Sequence, residues 1–132
     1  MAEKDYSHRL VVDKLGLKQG MRVRMTGDVG AELKTAAKAR IGGSLLRSGE
    51  LDVIVRAVKT IEEAEEFVTR VRPQMKGGSA LWLVTRKKGD PRYIQQEELI
   101  PIGKDNDLVD NKTCSIDESR SAMRFVIPKE LR

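Results

Sequence analysis

The sequence predicts an α/β protein, a three-layer sandwich around a mainly parallel β-sheet. Two apolar runs carry this prediction, LDVIVRAV at 51–58 and SALWLVTRKKG at 79–89, because near-continuous hydrophobic stretches are typical of strands covered on both faces. An amphipathic helical pattern lies between them, and alternating β and α units place helices on both sides of a parallel sheet. Two further strand patterns close the chain and predict a C-terminal antiparallel hairpin.

The first part of the chain predicts a helix, a strand and a second helix. Residues 7–16, SHRLVVDKLG, have a short helical pattern with Ser7 as the N-cap. Alternating apolar residues over 20–25 predict a strand. A helix over about 30–40 follows, with apolar residues on one face.

The middle of the chain supplies the first covered strand and its connections. Residues 40–50, RIGGSLLRSGE, are broken by glycines, and they could hold a short strand around 41–47. The covered strand at 51–58 comes next. Thr60 and Glu63 then form a capping box, which predicts the start of an amphipathic helix.

The last part of the chain predicts a weak helix and two strands. Residues 95–104 have a weakly helical pattern that Pro101 breaks. The segments 108–116 and 122–128 predict two strands, and the polar stretch 117–121 between them predicts a hairpin turn.

Length and composition predict one domain, 1–132, with an α/β core over about 20–128. The hydrophobic fraction is 39% and the charged fraction 34%, as in soluble globular proteins. No apolar run approaches the roughly 20 residues of a membrane helix, and the N-terminus lacks the apolar core of a secretory signal. The single cysteine, Cys114, excludes an internal disulfide and a cysteine-based zinc site. We therefore expect a cytoplasmic protein with no membrane partner.

The net charge of +5 is concentrated in two segments, 1–48 and 76–92. Such patches attract phosphate-rich partners, although a solvated surface has the same composition. Aromatic residues make up only 4% of the chain, so stacking platforms for single-stranded nucleic acid are scarce. Nucleic-acid binding through basic loops therefore has weaker support than binding of a protein or of a small ligand.

Several stretches resemble known families. LDVIVRAV, IEEAEEFVTRVRPQMKGGSALWLVT and the closing LVDNKTCSIDESRSAMRFVIPK resemble the second half of a Rossmann-like methyltransferase domain. Over nearly the whole chain, YSHRLVVDKLGLKQGMRVRM, GGSALWLVTRKKG and RYIQQEELIPIGKDNDLVDNKTCSIDESRSAMRFVI resemble the bacterial domain-of-unknown-function family 3052. The resemblance implies the fold and a bacterial source, and it implies no catalytic residue.

A glycine turn follows the first predicted strand at the place where a methyltransferase holds its cofactor. The candidate cofactor contacts are Thr26, Gly27, Asp28 and Gly30, but these residues provide only G-x-x-G where the dinucleotide fingerprint needs G-x-G-x-x-G. Methyltransferases usually also place an acid at the end of the second strand, and Glu50 comes late for that role. The alternative is a structural strand-to-helix turn, and no cofactor is predicted.

The carboxyl ends of parallel strands form the edge where ligands bind in open sheets. The loops 26–30, 56–60, 85–92 and 117–121 should meet there. Besides the glycine turn, they contribute Arg56, Lys59, Thr85, Arg86, Lys87, Lys88, Asp117, Glu118 and Ser119. Such an edge could hold an anionic ligand or dock an acidic protein, and ordinary loop polarity explains the same residues.

Catalytic and metal sites have little support. His8 is the single histidine, which argues against a Ser–His–Asp triad or a histidine-bound metal. Acidic neighbours of Cys114 disfavour a thiolate, and Trp82 lies in a covered strand as a core residue. We predict no catalytic residue and no metal ligand.

Two function classes follow from these residues. The first is a non-catalytic methyltransferase-like module that binds a protein or other partner in a regulatory role. The alternative is a binder or enzyme for a small ligand, a nucleotide or S-adenosylmethionine, at the strand-end edge. A homodimer through an edge strand or the last hairpin is a further hypothesis.

Overall fold

A computed structural model describes residues 11–132 of the protein. The helices are α1 (11–14), α2 (Ala31–Ile41), α3 (Ile61–Val71) and α4 (Ile100–Asp105). The strands are β1 (Val23–Thr26), β2 (Leu51–Ala57), β3 (Met75–Arg86), β4 (Val109–Ser115) and β5 (Arg120–Val126). Short 3₁₀ helices cover Arg72–Gln74, Gln96–Glu98 and Lys129–Leu131. Ser7, the predicted N-cap, lies outside the described residues.

The five strands form one sheet in the order β1-β2-β3-β5-β4. β1, β2 and β3 are parallel, whereas β5 pairs antiparallel with both β3 and β4. The predicted parallel sheet and C-terminal hairpin are therefore confirmed. β2 and β3 are the covered strands: seven consecutive residues of β3, Ser79–Thr85, are buried, including Trp82 at 0% exposure.

Helices cover both faces of the sheet, which confirms the three-layer architecture. On one face, α1 and α2 pack on apolar side chains of β1, β2 and β3, with Trp82 among them. On the other face, α3 and α4 pack on the alternate residues of β2, β3 and β5, including Ile54 and Phe125. No helix among residues 11–132 is long and apolar enough to cross a membrane.

The two parallel crossovers have opposite hands. The connections β1–α2–β2 and β2–α3–β3 step in the same direction across the sheet, yet α2 and α3 lie on opposite faces. About 98% of such connections are right-handed, so one of these two is the exception. In the common doubly wound order 3-2-1-4-5-6, the chain reverses direction next to its first strand, and both hands agree. The parallel part of the present sheet, β1-β2-β3, matches strands 1, 4 and 5 of that order, with strands 2 and 3 absent.

The strand predicted around 41–47 is absent, and the prediction was wrong. Gly42 adopts a left-handed conformation (φ 74°), and its N–H donates to Lys38 O, which ends α2. The segment 42–50 then runs as a loop beside β1 and gives that edge one hydrogen bond, from Leu46 N to Val23 O (2.8 Å). The loop, and not a second strand, covers the outer edge of β1.

The capping box of α3 and the role of Pro101 both differ in detail from the prediction. Thr60 caps α3 as expected, accepting from Glu63 N at 3.0 Å, but the Glu63 carboxylate returns to the Lys59 N–H, one residue before the cap. Pro101 stands in the first turn of α4, where a missing N–H costs nothing, so it begins the helix that it was expected to break.

Candidate functional site at the strand ends

The glycine loop, residues 26–30, joins β1 to α2. Gly27 has φ +77°, and a Cβ atom there would stand 2.4 Å from the carbonyl oxygen of Ala57 at the end of β2. Gly30 also has positive φ, +101°, just before the helix begins. Glycine is therefore required at Gly27 because the loop packs directly against the neighbouring strand.

The Asp28 carboxylate is clamped by two arginines. Arg120 donates from Nη2 to Asp28 Oδ1 and from Nε to Asp28 O, both at 2.8 Å, and Arg86 pairs with Asp28 Oδ2. The Arg120 hydrogen bond, with the charges of both guanidinium groups, holds the pKa of Asp28 below its ordinary value. Asp28 is thus an ionised internal partner, and its repulsion of a phosphate is offset within the chain.

The turn between β4 and β5 completes this network. Asp117 Oδ2 accepts from Arg120 Nη1 at 2.6 Å, and Asp117 Oδ1 accepts from Ser119 N at 2.9 Å. Arg86 reaches the Ser119 hydroxyl at 3.2 Å. Burial acts to raise the pKa of Asp117, but these hydrogen bonds outweigh it and the pKa lies below its ordinary value.

Arg120 is the central residue of the network, and sequence reasoning missed it. It belongs to the loop 117–121, from which we selected Asp117, Glu118 and Ser119. Charge could have pointed to Arg120 in the sequence. Asp28 needs a basic neighbour, and Arg120 follows an acidic turn at the same edge of the sheet. Only the pairing of β5 with β3 brings it to the glycine loop.

Arg56 and its partners form a separate group on the α3 side. Arg56 donates to Glu63 Oε2 at 2.8 Å and to Thr26 Oγ1 at 3.2 Å, and its guanidinium lies 4.9 Å from the Phe67 ring centroid. Burial acts to raise the pKa of Glu63, but the hydrogen bonds from Lys59 N and Arg56 lower it below its ordinary value. Thr26 and Arg56 thus bind each other, while the buried Nε of Arg56 has no hydrogen-bond partner among the described residues.

Between the carboxyl ends of β1, β2 and β3 lies a cleft of about 270 Å³, the strand-end cleft. Thr85 is 2% exposed, and its hydroxyl has no hydrogen-bond partner among the described residues. The cleft is lined by Gly27, Asp28, Ala57, Val58, Lys59, Glu63, Val84, Thr85, Arg86, Arg92 and Arg120. Five of the predicted edge residues, Asp28, Gly27, Lys59, Thr85 and Arg86, therefore do share one cleft.

The remaining predicted residues lie elsewhere. Lys87 donates to Ser115 Oγ at 2.7 Å, and Lys88 lines a shallow groove beside Tyr93. Gly30, Asp117 and Glu118 line a second cleft of about 480 Å³ on the α2 side. Arg120 lines both clefts, so the Asp28–Arg120 pair stands between them.

These residues lack the acid that usually holds the cofactor ribose in a methyltransferase. Glu50 directly precedes β2, which places it at the amino end of the parallel strands, opposite the glycine loop. With no second strand, no acid takes the ribose-holding position at this edge. Within residues 11–132, no group of three His, Cys, Asp or Glu side chains is placed to hold a metal. Burial raises the pKa of the Cys114 thiol above its ordinary value, which disfavours the thiolate form.

Similar solved structures are methyltransferases. A SAM-dependent methyltransferase from Aquifex aeolicus superposes with a TM-score of 0.61 at 18% identity, over 92% of this chain and 89% of that chain. Precorrin-6y C5,15-methyltransferase from Geobacter metallireducens gives 0.67 at 8% identity, over 92% and 86%. Aeropyrum pernix fibrillarin, with natively bound S-adenosyl-L-methionine, gives 0.56 at 14% identity, over 91% and 76%.

The chain therefore has the Rossmann-like, methyltransferase-like fold, and at these identities the likeness concerns the fold alone. No protein-family model matches the sequence, and the search of curated proteins gives no significant match.

Proposed function

We propose that the protein is a methyltransferase-like module that acts by binding a protein or other partner, in a regulatory role, and not by methyl transfer. The observation that carries this proposal is the clamp on the glycine loop: Arg120 and Arg86 hold the Asp28 carboxylate where a cofactor loop would face its ligand. The missing second strand, and with it the ribose-holding acid, supports the same conclusion. Membership of the bacterial domain-of-unknown-function family 3052 and a cytoplasmic location remain predictions.

A thermal-shift measurement with S-adenosylmethionine tests this proposal. A ligand at ten times its Kd stabilises the native state by about 1.4 kcal/mol, which raises the Tm of a domain of this size by about 4 °C or more. We expect millimolar S-adenosylmethionine and S-adenosylhomocysteine to leave the Tm unchanged relative to sodium chloride of equal ionic strength. A saturable rise in Tm would contradict the proposal.

The second candidate is a small-ligand binder or enzyme at the same edge, and the strand-end cleft favours it. A panel of nucleotides in the same thermal-shift measurement separates the two candidates. The partner-binding module should show no change in Tm, whereas a small-ligand binder should show a rise with one of the nucleotides. Nucleic-acid binding has less support, since Arg86 and Lys87 of the basic loop already bond to other side chains of the chain. Gel-shift affinity that did not fall with salt would contradict phosphate contacts.

The proposed homodimer would use β4. Within the described chain this strand pairs only with β5, and it is largely exposed, with Val109 40% accessible. A register shift at Asp110/Lys112 and the Lys112 charge work against edge-to-edge pairing. A monomeric mass by light scattering at high protein concentration would exclude the homodimer.

A further inference from the structure

The strand-end cleft contains a buried hydroxyl without a partner. Thr85 occupies the penultimate position of β3, is 2% exposed, and lines the cleft. A buried polar group without a hydrogen bond is unfavourable, so native proteins almost always give it a partner. No described residue supplies one, and Thr85 is one of the residues that line the cleft.

The polar groups around the cleft decide what kind of ligand atom this is. Both oxygens of each lining carboxylate are occupied: those of Asp28 by Arg86 and Arg120, and those of Glu63 by Arg56 and the Lys59 N–H. Each carboxylate oxygen at the cleft therefore already accepts a hydrogen bond.

Donors, in contrast, remain available at the cleft. Among residues 11–132 the Lys59 ammonium makes no ion pair, and Arg92 bonds only to Asp90, at 3.2–3.3 Å, through Nε and Nη2. Four cationic side chains line the cleft against two carboxylates. This surplus of donors and positive charge favours a ligand that brings acceptors and negative charge.

We propose that the strand-end cleft binds the carboxylate or phosphate group of a small ligand, through the Lys59 ammonium, the Arg92 guanidinium and the Thr85 hydroxyl. The inference rests on the second candidate function, a small-ligand binder at this edge, and it names the ligand class. The volume of about 270 Å³ suits a small ligand. Ala57, Val58 and Val84 provide an apolar wall for those atoms.

An NMR titration of backbone amides with inorganic phosphate, and separately with acetate, tests the proposal at ionic strength held constant with chloride. We expect saturable shifts at Gly27, Val58, Lys59, Thr85 and Arg86 for at least one of the two anions. The anion that saturates distinguishes a phosphate ester from a carboxylic acid as the ligand class. Shifts that rise linearly, or that spread over surface lysines, overturn the proposal.

Matched variants make the test specific. Lys59→Gln and Thr85→Val should each weaken binding about tenfold, because each removes a hydrogen bond to a charged group. Lys88→Gln removes the same charge as Lys59→Gln but from outside the cleft, so it should leave the affinity unchanged. Asp28→Asn should tighten binding, because it releases the Arg86 and Arg120 guanidinium groups toward the cleft.

Different results would overturn the anion site and the proposed partner-binding function. Equal weakening by Lys59→Gln and Lys88→Gln would mean non-specific charge attraction and would overturn the anion site. A Tm rise with S-adenosylmethionine would instead contradict the binding-only role, whatever the anion titration gives.

Discussion

Asp28 and Arg120 are 92 positions apart in the chain, and their side chains are 2.8 Å apart at the glycine loop. The same guanidinium bonds to the Asp28 carbonyl oxygen and to Asp117, so it joins the loop after β1 to the turn before β5. The loop is therefore held by a side-chain network of its own chain, at the position where the fold commonly receives a ligand.

Replacing Arg120 with Gln should lower the free energy of unfolding by about 1–2 kcal/mol, because three charge-assisted hydrogen bonds are lost at a partly buried site. Arg70→Gln is the matched control: its pair with Glu66 is exposed, at 65% and 74%, and its loss should cost less than about 0.5 kcal/mol. Urea unfolding followed by the fluorescence of Trp82, the single tryptophan, measures both. Equal losses would contradict a structural role for Arg120.

Acid should destabilise the protein through the carboxylates of this edge. The pKa values of Asp28, Asp117 and Glu63 lie below their ordinary values in the folded state. Their contribution is complete above the unfolded pKa values, about 4, and is lost as pH falls through the lower folded values. Asp28→Asn should therefore flatten the decline in unfolding free energy between about pH 5 and pH 2. An unchanged slope would argue that Asp28 does not contribute.

Gly27→Ala should be far more destabilising than Gly16→Ala. The two glycines have nearly the same φ, +77° and +76°, but a Cβ at Gly16 meets nothing within 4 Å, whereas one at Gly27 meets Ala57 O at 2.4 Å. Gly16→Ala should cost about 1–2 kcal/mol from backbone strain alone. Gly27→Ala should exceed that cost, since the strand ends must separate. Equal unfolding free energies would mean that the close approach is not required.

The same Thr→Ala change should have opposite effects at two helical positions. Thr60→Ala removes the N-cap of α3 and should cost about 1 kcal/mol. Thr35, in the interior of α2, bonds to Ala31 O four residues earlier. Thr35→Ala should be neutral or slightly stabilising, because alanine is the better helix former. Chemical unfolding of both variants measures the difference, and a large cost at Thr35 would contradict it.

Local patterns were sufficient for most elements of the fold. The continuous apolar runs at 51–58 and 79–89 predicted the covered strands, and Thr60 with Glu63 predicted the start of α3. The prediction failed at 41–47, where apolar residues between glycines fit a strand equally well. Their actual role is to close the edge of β1, which depends on a neighbour that local patterns do not contain.

The candidate site was predictable only in its position. The strand-end rule brought Gly27, Asp28, Lys59, Thr85 and Arg86 into one cleft, as expected. It could not tell that Arg56 turns to Glu63 and Phe67, since that choice depends on where α3 packs. Arg120 was missed because its side chain reaches Asp28 only after β5 has paired with β3.

The sequence by itself determined the class of the fold, because strand burial and helix amphipathicity are properties of short segments. The tertiary structure decided the strand order, the opposite hands of the two crossovers and the clamp on Asp28. These features arise from contacts between segments up to 92 positions apart, and no local pattern encodes which distant partner a strand or a charge will meet. The glycine loop lies at the position of a ligand site in this fold. Its Asp28 carboxylate is instead bound by arginines from β3 and β5 of the same chain.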